Sequence, residues 1–96
     1  MTSQELEQSA LSGAPMPSGL TPAHQALWMA RAGKWDAAHD LCQEIKGEPG
    51  FWIHAHLHRQ EGDLSNAGYW YSRAGQPVPP TDMPITDEWH ELVRAL

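Results

Sequence analysis

Residues 62–75, GDLSNAGYWYSRAG, decide how this chain folds. The stretch is bounded by two glycines, which favour turns and helix ends because they adopt left-handed backbone conformations without strain. Between them the apolar side chains fall on one arc when successive residues are placed about 100° apart. The residues on this arc are Leu64, Ala67, Trp70, Tyr71 and Ala74. The stretch therefore predicts a helix over 64–74 that packs one face against a core.

A second copy of this pattern lies upstream. Gly33 and Ala38 precede Gly62 and Ala67 by 29 residues, and at this offset the apolar arcs of the two helices coincide. The upstream helix is predicted over about 35–45. Each of the two helices follows another helix across its turn glycine, so the repeated unit is a helical hairpin. Because a single hairpin cannot bury its apolar face alone, we expect the two hairpins to stack.

Caps and apolar periodicity predict the remaining helices. Thr21 followed by Pro22 is typical of a helix start, since threonine caps the first turn and proline tolerates its first position. This helix is expected to end before Gly33. A third helix is predicted over about 51–61, and Thr86 caps a last one. No segment alternates apolar and polar residues for long enough to form a strand, so the predicted fold class is all-α.

Proline and glycine indicate the domain organisation. Residues 1–20 are predicted to be a flexible N-terminal tail, because 12–19 has the composition of a linker, although 4–11 could form a short helix. Residues 21–96 are expected to fold as a single helical-repeat domain. Its parts are the hairpins 21–46 and 49–75, the proline-rich connector 76–84 and the capping helix 86–96.

Residues 62–75 resemble the second half of a tetratricopeptide-type repeat. That family places a small alanine five residues after a turn glycine, then a bulky aromatic, and a second alanine seven residues after the first; here these are Ala67 and Ala74 around Trp70. The repeat of 29 departs from the family period of about 34. The whole chain also resembles a group of small, uncharacterised bacterial tetratricopeptide-like proteins. The resemblance implies a helical-hairpin fold that commonly binds proteins or peptides, and it carries no catalytic residue.

The third predicted helix carries two histidines on its core face. His54 and His58 lie one turn apart, and Glu61 continues the same stripe. Two imidazoles at this spacing can bind one metal ion such as zinc, with the carboxylate as a third ligand. Two other interpretations remain open. Both could be neutral core histidines bonded to a carbonyl, an indole or Glu61, or they could make the protein respond to pH.

A second candidate site lies on the opposite face of the third helix. There Trp52 is predicted to point outward near His56 and Arg59, and Tyr69 lies on the outer side of the fourth helix. An exposed tryptophan beside basic side chains is typical of a contact surface. This predicts a patch that binds a protein or peptide partner or a second copy of the chain.

The composition of the chain argues against some classes of partner and function. Twelve acidic and six basic residues give a net charge of −6, which argues against nucleic acid and anionic membranes as partners. The single Cys42 lies on an apolar arc and is predicted to be an inert core thiol. With no signal peptide expected, the predicted location is the cytoplasm. The sequence favours a non-enzymatic interaction module without a cofactor, and metal binding or pH response is the alternative.

Overall fold

The computed structural model describes all 96 residues and contains six helices and no strands. The helices are α1 (Ser3–Leu11), α2 (Pro22–Arg31), α3 (Trp35–Cys42), α4 (Glu48–Gln60), α5 (Leu64–Ala74) and α6 (Ile85–Ala95). The predicted all-α class is confirmed. None of the helices combines the length and the apolarity that crossing a membrane requires.

Side-chain caps explain two of the helix starts, one at the predicted Thr21 and one at Asp63, which the sequence did not single out. The Thr21 side chain accepts a hydrogen bond from the His24 amide, and Pro22 is the first residue of α2. Asp63 caps α5 in the same way by accepting from the Asn66 amide. At the other end of α5, Gly75 adopts a left-handed conformation with φ of 68°, which stops the helix.

The hairpin boundary differs from the prediction at Gly50. α3 ends at Cys42 instead of continuing to residue 45, and α4 begins at Glu48, three residues early. The chain between them folds back so closely that a Cβ atom on Gly50 would lie 2.1 Å from the Ile45 carbonyl oxygen. Only glycine fits there, and this close approach brings the two hairpins together.

The prediction of a flexible tail over 1–20 is wrong for its first half. Thr2 and Glu5 form a reciprocal capping box that starts α1, and Leu6 is 1% exposed. α1 packs against α2 and α6, where it buries Leu6 and Ala10. These two residues are four positions apart and share one helical face, a short apolar stripe that the polar composition around it obscures.

α4 lies at the centre of the fold and contacts α2, α3, α5 and α6. α2 pairs with α3, and α4 pairs with α5, as the two predicted hairpins require. The final helix begins at Ile85 with Pro84 at its cap, not at Thr86, and the Trp89 indole donates to the Leu27 carbonyl at 2.7 Å. The likeness of this arrangement to tetratricopeptide repeats stays an expectation.

Candidate metal centre

The central position of α4 changes the environment of the predicted contact patch. α6 and the connector cover the face of α4 that was expected to point outward, so Trp52 is 9% exposed and His56 is 1% exposed. The Arg59 side chain is also buried. Only Tyr69 is exposed as predicted. The prediction that these four residues form one outward patch is therefore wrong.

His56 and Arg59 instead belong to a buried ionic network around Glu88 of α6. The Glu88 carboxylate lies 2.7 Å from His56 Nδ1 and accepts hydrogen bonds from Arg59 and the Tyr71 hydroxyl. Burial opposes ionisation of Glu88, but the hydrogen bonds and the two basic side chains outweigh it and hold its pKa below the ordinary value. This network attaches α6 to the second hairpin, so these residues have a structural role.

His54 and His58 lie buried on the face of α4 that packs against α3. There they meet His39, whose Nε2 lies 3.0 Å from His54 Nε2. One ring nitrogen from each of the three histidines can be chosen so that all three lie within 4.8 Å of one another. We call these three residues the histidine cluster. The structure thus confirms that the two predicted histidines face the core and adds a third from the other hairpin.

Glu61 has a different place from the one predicted. Its carboxylate lies 2.8 Å from His58 Nδ1, and it is not part of the histidine cluster. Because the Glu61 carboxylate accepts this hydrogen bond, Nδ1 carries a proton and Nε2 is the ring nitrogen that can offer a lone pair. Asn66 lies near that nitrogen at 3.4 Å. Glu61 therefore orients His58, as carboxylates commonly do behind a metal-binding histidine.

Asp63 forms a second possible ligand group with His58 and Glu61. Both carboxylates are exposed, however, and the Asp63 side chain caps α5. The helix cap and the Glu61–His58 hydrogen bond account for this group, so the histidine cluster is the better candidate for a metal centre.

Two tryptophans hold the cluster in place. Trp35 stacks on His39 with ring centroids 4.8 Å apart, and Trp70 stacks on His54 at 4.0 Å. The Trp35 indole is itself fixed, because it donates to the Leu57 carbonyl at 2.8 Å. The imidazoles are thus restrained by packing before any ligand is bound, which reduces the entropy lost on binding.

Burial also favours the neutral form of His54. Burial first, and then repulsion from His39 and His58, lower the pKa of His54 to about 4. At neutral pH the ring is therefore uncharged, which is the form that ligates metal ions. Cys42 lies nearby as the buried thiol that the sequence predicts, with a pKa raised by burial to about 12.

The sequence analysis missed His39 because it lies beside acidic residues on the polar side of α3. The signal that could have found it is its spacing of four residues from Trp35, which places both on one face of the helix. That face turns toward α4 once the hairpins pack. The contact joins residues of two separate hairpins, which no local pattern reports.

Comparisons with protein-family models, with curated proteins and with solved structures find no match to this chain. Three imidazoles in one place form a set of nitrogen donors that suits zinc and neighbouring transition metals better than calcium or magnesium, which prefer oxygen.

Proposed function

We propose that this protein is a non-enzymatic binder of a divalent transition-metal ion, with zinc as the best fit, through His39, His54 and His58. The observation that supports it is the convergence of three imidazole nitrogens within 4.8 Å of one another. The burial of His54 and His58 leaves little access for a substrate, which favours binding over catalysis.

The hydrogen bonds support this function over ordinary core histidines. Of the three rings, His58 has the carboxylate partner expected of a buried core histidine. The side chains of His39 and His54 hydrogen-bond only to each other. Because this hydrogen bond involves no backbone group, a metal ion that replaced it would leave no backbone donor or acceptor without a partner.

One distance in the cluster is close to the separation that a zinc ion requires. Two nitrogens bound to one tetrahedral zinc are separated by about 3.3 Å, given Zn–N bonds of about 2.0–2.1 Å. The His39–His54 separation of 3.0 Å is near this value. A metal ion that replaced that hydrogen bond would have to draw in the His58 nitrogen, which lies within 4.8 Å of the other two. A water molecule or an external donor would take the fourth position.

Zinc titration followed by calorimetry and thermal melting tests this function. We expect one zinc ion per chain and a melting temperature that is higher with equimolar zinc than with chelator, since a ligand bound only by the folded state stabilises it. The variant His39→Gln should fold, because His39 is half-buried at the edge of α3, and should lose both effects.

His90→Gln is the matched control, because this histidine contacts Glu7 and lies outside the cluster. It should keep the stoichiometry and the zinc response of the wild type. An equal response in wild type and His39→Gln, or none in either, would refute the proposed site. Cobalt gives an independent measurement, since a tetrahedral site produces visible absorption bands that His39→Gln should abolish.

A further inference from the structure

A groove separates the start of α5 from the connector 76–84, and none of its lining residues belongs to the histidine cluster. It has a volume of about 420 Å³, and Ala67 and Tyr71 lie on its floor. Leu64 stands on one rim and Val78 on the other. We call this feature the connector groove.

The rims of the connector groove are unusually apolar for a surface. Leu64 is 63% exposed and Val78 is 65% exposed, and both are among only five large hydrophobic side chains in the chain with such exposure. A partner side chain placed between them would remove both from water, which is favourable in proportion to the apolar area buried. Exposed apolar residues that border one concavity are typical of interaction sites.

The connector has backbone carbonyls that accept no hydrogen bond within the protein. It contains four prolines, which have no amide donor, and the carbonyls of Pro77, Val78 and Pro79 accept no backbone or side-chain hydrogen bond within the protein. The connector makes few hydrogen bonds to the rest of the protein. Among them, the Met83 carbonyl accepts from Arg59, and within the connector the Met83 amide donates to the Pro80 carbonyl. Val78 and Pro79 line the groove, and a carbonyl without a partner favours a bound segment that supplies donors, such as lysine or arginine.

The free charges at the groove are acidic. Arg59 is the one basic residue in its lining, and its guanidinium is already engaged by Glu88 and the Met83 carbonyl. Asp82 is exposed on the rim. Asp87 is exposed two residues after the lining residue Ile85, and Asp63, which caps α5, is exposed just before Leu64. The surroundings of this apolar concavity therefore attract a cationic segment.

We propose that the connector groove binds an extended segment of another protein in which an aliphatic side chain is flanked by lysine or arginine. The aliphatic side chain would lie between Leu64 and Val78. The basic neighbours would face Asp82 and the free connector carbonyls. A second copy of this chain fits less well, because it carries the same net charge of −6. This interaction does not depend on the metal site.

The test uses a display library of random twelve-residue peptides selected against the immobilised full chain. We expect the selected peptides to combine an aliphatic residue with adjacent lysine or arginine. A synthetic copy of one such peptide should bind Val78→Asp about tenfold more weakly than wild type, because the variant places a charge on the apolar rim. Tyr69→Ser is the matched control, since it removes an exposed aromatic of α5 outside the groove, and it should bind normally.

Charge is tested separately with Asp82→Lys. The selected peptide should bind this variant several-fold more weakly than it binds wild type at about 50 mM salt. The difference in affinity should shrink at about 500 mM, where surface charges are screened. Selection of no peptide, of peptides without basic residues, or of peptides that bind Val78→Asp as well as wild type would overturn the proposal. So would a dimer in sedimentation that Val78→Asp dissociates, because the occupant would then be a second copy.

Discussion

The Nε2 atoms of His39 and His54 lie 3.0 Å apart, although the two residues belong to different hairpins. This contact is the point at which α3 meets α4, and His58 lies one turn further along α4. A metal ion bound here would link the first hairpin to the second. Metal binding would then stabilise the junction that the rest of the fold depends on, since each hairpin alone leaves an apolar face uncovered.

Glu61 should act on zinc affinity without being a ligand. Its hydrogen bond fixes a proton of His58 on Nδ1 and so leaves Nε2, which lies 3.4 Å from the Asn66 side-chain nitrogen, as the nitrogen that can ligate a metal ion. Loss of such a supporting carboxylate costs about 10–100-fold in metal affinity. We expect Glu61→Ala to bind one zinc ion with affinity lowered by about this factor, measured by competition with a chromogenic chelator.

The ligand assignment is tested by comparing that variant with His58→Ala. If Glu61 only orients His58, the cobalt complex of Glu61→Ala keeps the spectrum of the wild type, whereas His58→Ala changes it. A changed spectrum in Glu61→Ala would show that the carboxylate itself ligates the metal, as the sequence first indicated.

Glu88 should make stability depend on pH in the acidic range. His56, Arg59 and Tyr71 face its carboxylate, and together they hold its pKa below the ordinary 4.5 despite burial. The folded state therefore binds this proton less readily than the unfolded chain. The stabilisation is fully present above the unfolded pKa and is lost as the pH falls through the lower folded value.

Glu88→Gln measures this contribution by urea unfolding. At about pH 6 we expect the variant to be less stable than wild type by about 3 kcal/mol, since it leaves buried basic groups without a charged partner. At about pH 3.5 the difference should be clearly smaller. A difference that does not change between the two pH values would contradict the ionised state of Glu88. Asp36→Asn, an exposed carboxylate elsewhere, is the control.

The N-terminal helix should contribute measurably to stability. Leu6 is 1% exposed between α2 and α6, whereas Leu11 at the end of the same helix is 57% exposed. Truncation of a buried leucine to alanine costs about 2–5 kcal/mol, and truncation at the surface costs about 0.5 kcal/mol or less. Leu6→Ala should therefore lower the melting temperature strongly and Leu11→Ala only slightly. Equally small effects of the two substitutions on the melting temperature would support a flexible tail instead.

The sequence predicted most of this fold because helix periodicity and caps are local. Residues 62–75, Thr21 and Pro22 place α5 and the start of α2 where the structure has them. Burial of Trp52 and His56 could not be predicted in this way, because the elements that cover them are the connector and α6, which follow much later in the chain.

Part of the candidate site could also be predicted from the sequence. The spacing of His54 and His58 on one helix is a local signal, and it correctly indicated that both face the core. The contribution of His39 depends on how α3 packs on α4, and the role of Glu61 depends on a hydrogen bond whose geometry no spacing determines. Tertiary packing therefore decided which side chains complete the cluster.

Two glycines within helices should respond in opposite ways to alanine substitution. A Cβ atom at Gly50 would lie 2.1 Å from the Ile45 carbonyl oxygen, whereas one at Gly68 would meet no atom within 4 Å. Alanine at an open helical position removes backbone freedom from the unfolded chain and stabilises by about 0.4–1 kcal/mol. Gly68→Ala should therefore raise the melting temperature.

Gly50→Ala must push the end of α3 away from α4, so it should destabilise the protein. Because this movement separates His39 from His54, it should also weaken zinc binding. A stable Gly50→Ala variant would show that the hairpin junction is looser than the close approach of these backbones implies.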